Sequence, residues 1–153
     1  MATLKEGDKA PDFTAKNQNG ETTSLADFIG KTVILYFYPK DDTPGCTAEA
    51  CNYRDNYQSL LAKGFEVIGV STDNEKSHKK FETKYSLPFP LIADHDQSIV
   101  GVYGVWVEKS MYGKTYMGTA RTTFIIGPDG VIKHIISKVD NPNASQQVLD
   151  VIG

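Results

Sequence analysis

Two cysteines, three histidines and one tryptophan are all that this 153-residue sequence holds of those types, and each scarcity removes a class of protein. Two cysteines cannot staple a disulfide scaffold. In a reducing compartment a close pair points instead to catalysis, redox sensing or metal binding. His78, His95 and His134 are scattered without ligand spacing, so no metal site is expected. No apolar run approaches the ~20 residues needed to span a bilayer, and the opening MATLKEGDKAPDF has no apolar stretch of signal-peptide length. A cytoplasmic address with no membrane partner is the expectation. An excess of basic residues is also missing: the formal net charge of -3 gives no electrostatic footprint for nucleic acid. Without repeats, linkers or low-complexity segments, residues 1–153 are expected to form one domain.

What is present alternates between strand and helix patterns. TVILYFY, Thr32 to Tyr38, is a continuous β-branched and aromatic run, as in a strand buried on both faces. Ala50, Tyr53, Tyr57, Leu60 and Leu61 then recur at helical spacing, and Gly64 is a stop signal. FEVIGVST predicts a second strand, NEKSHKKFETKYS a charged surface helix, FPLIAD a short third strand and DQSIVGVYGV a modest helix. Val105 to Gly118 fits no period and is expected to be a loop or irregular hairpin. RTTFIIGPDGVIKHII places two β runs around Gly127-Pro128-Asp129-Gly130, a turn with Pro second and Gly fourth. A closing helix is expected from Asn141 as N-cap, with Pro142 in its first turn. The pattern predicts a three-layer α/β fold with a mixed sheet and an N-terminal extension.

Both cysteines fall in one stretch, YFYPKDDTPGCTAEAC. Pro39 ends the buried strand, so the residues after it lie beyond a strand's carboxyl end, where ligand sites of open α/β sheets tend to sit. Thr43 is a good N-cap and Pro44 suits the first helical position, which puts Cys46 third. Free N–H groups and the positive end of the helix dipole stabilise a thiolate there, and Gly45 has no side chain to shield the sulfur. Cys46 is therefore a nucleophile candidate. On one α-helix, a spacing of five residues gives a Cα separation of roughly 8–9 Å, against the limit of about 7 Å for a disulfide. Either the two thiols are unrelated, or the helix start unravels when they join. The plainer alternative is that both are small buried hydrophobes. C-x4-C is wider than common zinc spacings, and the C-x-x-C of thiol–disulfide oxidoreductases is absent.

The segment resembles the active-site signature of peroxiredoxins, in which a Pro, a Thr or Ser and a Cys stand at the spacing of Pro39, Thr43 and Cys46. A second cysteine five residues on, Cys51, is similar to the peroxiredoxin Q subgroup, also called bacterioferritin comigratory protein. The likeness extends through GDKAPDF, GVWVEKSMYGKTYMG and RTTFIIGPDG, where the family's arginine falls on Arg121. The resemblance implies a thioredoxin-like fold and thiol-dependent reduction of hydrogen peroxide and alkyl hydroperoxides. Cys46 would be peroxidatic and Cys51 resolving, a thioredoxin-like dithiol would be the reductant, the protein would be a monomer, and no cofactor would be needed. TARTTFII lacks the proline that leads into the corresponding strand of thioredoxin itself.

In that chemistry a thiolate attacks the outer peroxide oxygen and leaves an alkoxide that needs stabilising and a proton. Thr43 and Arg121 are the expected donors, Arg121 as a fixed fork. Pro39 would shield the pocket from water, and Glu49, on the same helical face as Cys46, would orient Arg121. Each has a plainer role: Thr43 as a helix cap, Arg121 as a solvated side chain, Glu49 as an acid favoured by the helix dipole. Tyr36, Phe37, Tyr38 and Trp106 are expected as core or pocket wall. Two rival functions use the same pair: a peroxide-responsive redox sensor and a general thiol–disulfide oxidoreductase.

Overall fold

The computed structural model describes residues 4–152. Its centre is a five-stranded mixed sheet. Strand β3 (Thr32–Phe37) runs parallel to β4 (Phe65–Ser71), which runs parallel to β5 (Leu91–Ala93). On the other side of β3 lies antiparallel β8 (Thr122–Ile126), followed by antiparallel β9 (Ile132–Ile136). The order is β5-β4-β3-β8-β9. The parallel connections are helices α1 (Pro44–Ala62) and α2 (Glu75–Tyr85). α3 (Ser98–Val102) and α4 (Ala144–Ile152) complete the α-helices among the described residues.

The run 32–37 is a strand because every residue after Thr32 is buried, with alternate side chains serving opposite faces. Ile34, Tyr36 and Tyr38 pack with Tyr53, Tyr57 and Leu60 of α1 and Val148 of α4. Val33, Leu35 and Phe37 pack on the other face with Phe13, Ile99, Val100 and Tyr103. This is the three-layer, mixed-sheet arrangement that the sequence predicts.

Before β3 comes a small hairpin, β1 (Thr14–Lys16) and β2 (Thr22–Ser24), which forms the N-terminal β extension. Residues before it and in its turn cover the start of β9 at one edge of the sheet and β5 at the other. Gly7 and Ala10 donate to the carbonyls of Ile132 and Gly130, and Ile132 donates to Asp8. At the other edge Gln18 acts as a strand surrogate: its Oε1 accepts from Leu91 N–H at 2.8 Å and its Nε2 donates to Phe89 at 3.1 Å.

Three expectations change. The segment from Val105 to Gly118 is mostly a regular hairpin, β6 (Trp106–Met111) and β7 (Lys114–Thr119), turning through Tyr112 and Gly113 at φ 53° and 76°. Positive φ at both central residues is the type I′ geometry that matches strand twist. Helix α3 is shorter than its pattern because Gln97 is left-handed at φ 61° and Tyr103 closes it. At the end of the chain, Asn141 is not the N-cap of the last helix. Asn141–Asn143 form a 3-10 turn after Asp140, and α4 follows from Ala144.

Candidate active site

The loop after β3 brings the chain from the sheet to the first turn of α1. Tyr38 extends the ladder by donating to Val70 O at 3.1 Å, and half-buried Pro39 then ends it. Asp41 enters a buried polar cage. Its carboxylate accepts from Tyr38 Oη at 2.6 Å and from Ser77 Oγ at 2.8 Å, and lies 2.6 Å from His78 Nδ1. His78 Nε2 faces the Ile92 carbonyl at 2.9 Å. Both ring nitrogens thus face oxygens. Asp42 takes the left-handed φ of 57° and is tied to Lys84 and Tyr85 on α2 at 2.8 Å each. The loop is therefore pinned by α2 on both sides of its turn.

Thr43 occupies the N-cap position, but its side chain makes no cap bond. Its hydroxyl instead donates to Lys40 O at 2.8 Å and closes the loop on itself. Pro44 is the first helical residue, as expected, and Cys46 is the third, only 1% exposed. The first N–H groups of a helix have no intrahelical acceptor and carry the positive end of its dipole.

Arg121, between β7 and β8, spans the site. Its Nη2 donates to Cys46 Sγ at 3.2 Å and its Nη1 to Glu49 Oε1 at 2.9 Å. The planar fork holds sulfur and carboxylate together. Burial works against the Arg121 charge, but Cys46 and Glu49 outweigh it and hold its pKa above the ordinary value. Glu49 is fully buried, and its second oxygen has no hydrogen-bond partner among the described residues. Burial raises its pKa from 4.5 to about 7, with Arg121 opposing the rise. Glu49 lies in the second turn of α1, beyond the first-turn positions where the helix dipole acts most strongly.

Gly45 lets these groups approach. A Cβ there would lie 2.9 Å from Asn141 Nδ2 and 3.3 Å from Arg121 Nη2. Behind the site Tyr36 and Tyr53 pack with ring centroids 4.9 Å apart, both fully buried. Beside it, the β6–β7 hairpin contributes Lys109, whose aliphatic chain lies across Gly118. Burial, then the Arg121 charge, depress the Lys109 pKa, and Cys46 counters them. Cys51 is a half-buried free thiol on the same helix. Burial raises its pKa, with Arg54 opposing and Asp55 adding to the rise.

The structure thus brings Cys46, Glu49 and Arg121 into direct contact. It places Thr43 in the loop with its hydroxyl bonded to Lys40, and leaves Cys51 unbonded to Cys46. Sequence reasoning missed the Asp41–His78 cage, Lys109 and Asn141. Asp41 and His78 are 37 positions apart, and no local pattern joins them.

Known proteins share this architecture. A family model described as AhpC/TSA family matches residues 6–135. The peroxiredoxin Bcp of Escherichia coli strain K12 is 44% identical over 150 residues, covering 98% of this chain and 96% of that one. The solved PrxQ of Xylella fastidiosa, a cysteine-to-serine mutant, superposes with a TM-score of 0.92 at 30% identity, covering 99% of this chain and 97% of that one. A Xanthomonas campestris bacterioferritin comigratory protein, described for its alkyl peroxide reduction activity, has a TM-score of 0.85 at 34% identity, with 92% and 89% coverage. These neighbours share the thioredoxin-like fold expected from the sequence. With a matching family model, close sequence relatives and superposable structures, the chain belongs to the AhpC/TSA family, in its Bcp (peroxiredoxin Q) branch of peroxiredoxins.

Proposed function

We propose that Cys46 is the peroxidatic thiolate of a peroxidase that reduces hydrogen peroxide and alkyl hydroperoxides, and that Cys51 resolves the oxidised form. The observation that carries this reading is the Arg121 fork, with one arm 3.2 Å from Cys46 Sγ and the other on Glu49. The thiolate attacks the outer oxygen of ROOH. An S–O bond forms, the O–O bond breaks, and RO⁻ takes a proton and leaves as ROH, with Cys46 as sulfenic acid. Arg121 supports both the sulfur and the charge moving onto the oxygens. Thr43, freed from Lys40, donates to the peroxide, and Pro39 limits water. The Cys51 thiol then condenses with the sulfenic acid, giving a 46–51 disulfide and water.

Helical geometry keeps the two sulfurs apart, so residues 45–51 unwind for that step. Oxidation to sulfenic acid removes the thiolate's attraction to the helix dipole and weakens the turn. The opened disulfide is reduced by exchange with a thioredoxin-like dithiol, and the protein works as a cytoplasmic monomer without a cofactor.

Stopped-flow mixing of the reduced protein with hydrogen peroxide and an alkyl hydroperoxide tests the assignment. Wild type and Cys51→Ser should react at the same rate, and Cys46→Ser not at all. Sustained peroxide consumption with a thioredoxin supply separates an enzyme from a sensor. Peroxide reaction that survives Cys46→Ser overturns the proposal.

A further inference from the structure

We propose that the segment Asn141 to Ser145 is a splint across the part of α1 that opens, and that Asn52 is the positioning residue through which it governs the resolving step. This rests on the assignment of Cys46 and Cys51 above. Asn52 follows Cys51 directly. Its Nδ2 donates to Pro142 O at 2.9 Å, and its Oδ1 accepts from Ser145 N–H at 2.8 Å. Ser145 is the second residue of α4, where a backbone N–H has no acceptor within its own helix. Asn52 therefore caps α4 from a neighbouring helix.

The same segment reaches α1 again at its start. Asn141 Nδ2 stands 2.9 Å from where a Cβ on Gly45 would be, so only a glycine allows that approach. Asn141 thus lies against Gly45 and Asn52 bonds to the splint, on either side of the residues between them, which are the residues that unwind. Opening requires Gly45 to leave Asn141 and strains the two Asn52 bonds next to the unwinding residues. Residues past Asn52 are further secured by Tyr53, Tyr57 and Leu60 in the core.

The consequence is kinetic. Peroxide attack uses the closed first turn, whereas disulfide formation passes through the open one. Loosening the splint raises the open population, and the resolving step accelerates by the same factor. A sulfenic acid that is resolved sooner is less exposed to a second peroxide and to sulfinic acid. Asn52 sets that partition without touching the reacting atoms.

The test uses full-length Asn52→Ala and Asn52→Asp. In the reduced proteins, hydrogen exchange at residues 46–51 should be about tenfold faster in Asn52→Ala than in wild type, with β3 and β4 unchanged. In stopped flow, the peroxide-dependent phase should stay within about twofold, and the following first-order phase should be about tenfold faster. Less sulfinic acid should form at high peroxide. Asn52→Asp keeps the acceptor for Ser145 and loses the donor to Pro142, so it should fall between the two, and it carries the test if Asn52→Ala does not fold. Unchanged or slower resolution, or faster exchange spread evenly over the sheet, overturns the splint. If wild type forms no 46–51 disulfide by peptide mapping, the underlying assignment falls and the splint with it. If wild type forms that disulfide and neither variant resolves faster, the splint alone falls.

Discussion

The two halves of α1 are built on different physics. From Tyr53 onward the helix is held by burial: Tyr53, Tyr57 and Leu60 lie in the core, and Tyr57 Oη also donates to Glu66 at 2.7 Å. From Pro44 to Cys51 the burial of Cys46 and Ala50 is joined by directed polar contacts, with Arg121 on Cys46 and Glu49, and Asn52 at the junction. Apolar burial is non-directional and is lost only with large displacement. Polar contacts depend on a charge or a few tenths of an ångström, so they respond when a sulfur changes its chemistry. One helix can then contain a fixed half and a reactive half.

The comparison breaks most visibly in the fixed half. Leu60→Ala should cost about 2–5 kcal/mol of unfolding free energy, as for other buried leucines, yet leave the peroxide rate within about twofold. Urea unfolding beside stopped flow checks both, and a parallel collapse of rate would show that the halves are not separable. In the reactive half the largest effect should come with pH. Unfolded, Glu49 titrates near its ordinary 4.5, and folded, near 7. Between those values the native state holds more protons than the unfolded chain. Stability therefore falls as pH rises through that window, and the full cost of the buried charge is present above about 7. Glu49→Gln removes the titration, so its stability relative to wild type should improve between pH 5 and pH 8, on the order of 1–3 kcal/mol. An identical offset at both pH values contradicts this account.

Arg121→Lys keeps the charge but replaces the fork by a single point. The peroxide rate should fall at least tenfold, about 1.4 kcal/mol, with unfolding free energy little changed. A wild-type rate would remove the role given to Arg121. The smallest effect belongs to Thr43→Ser, which keeps the hydroxyl that reaches Lys40. It should retain the rate within about threefold, whereas Thr43→Val, which cannot donate, should be clearly slower. Equal rates for the two variants would leave the hydroxyl without a part in catalysis.

Much of this could be read from the chain because local signals agree there. Thr32 to Tyr38 is apolar throughout, and Thr43-Pro44-Gly45 sets the start of α1 within one residue. The Gly127 to Gly130 turn carries its own chemistry, with Gly130 at φ 81°. The β6–β7 hairpin was not legible because most of its residues from Glu108 to Met117 are exposed, so neither face writes a hydrophobic period. Arg121 before a strand reads as an ordinary surface side chain, and its significance came from the family resemblance alone. The Asp41–His78 cage and the Asn52 bridge join residues 37 and at least 90 positions apart. They form only once α2 and α4 have docked, and no window of sequence contains both partners.

The cover on the central sheet's edge strands carries a consequence for how this protein meets others. An unpaired edge strand is a template for another chain, and so a route to strand exchange and fibrils. Here the backbone of residues 7–10 occupies the β9 side and the Gln18 amide occupies the β5 side. Unwinding the start of α1 frees no strand. None of these contacts involves residues 44–51, so the opening proposed above leaves the cover of both edge strands in place.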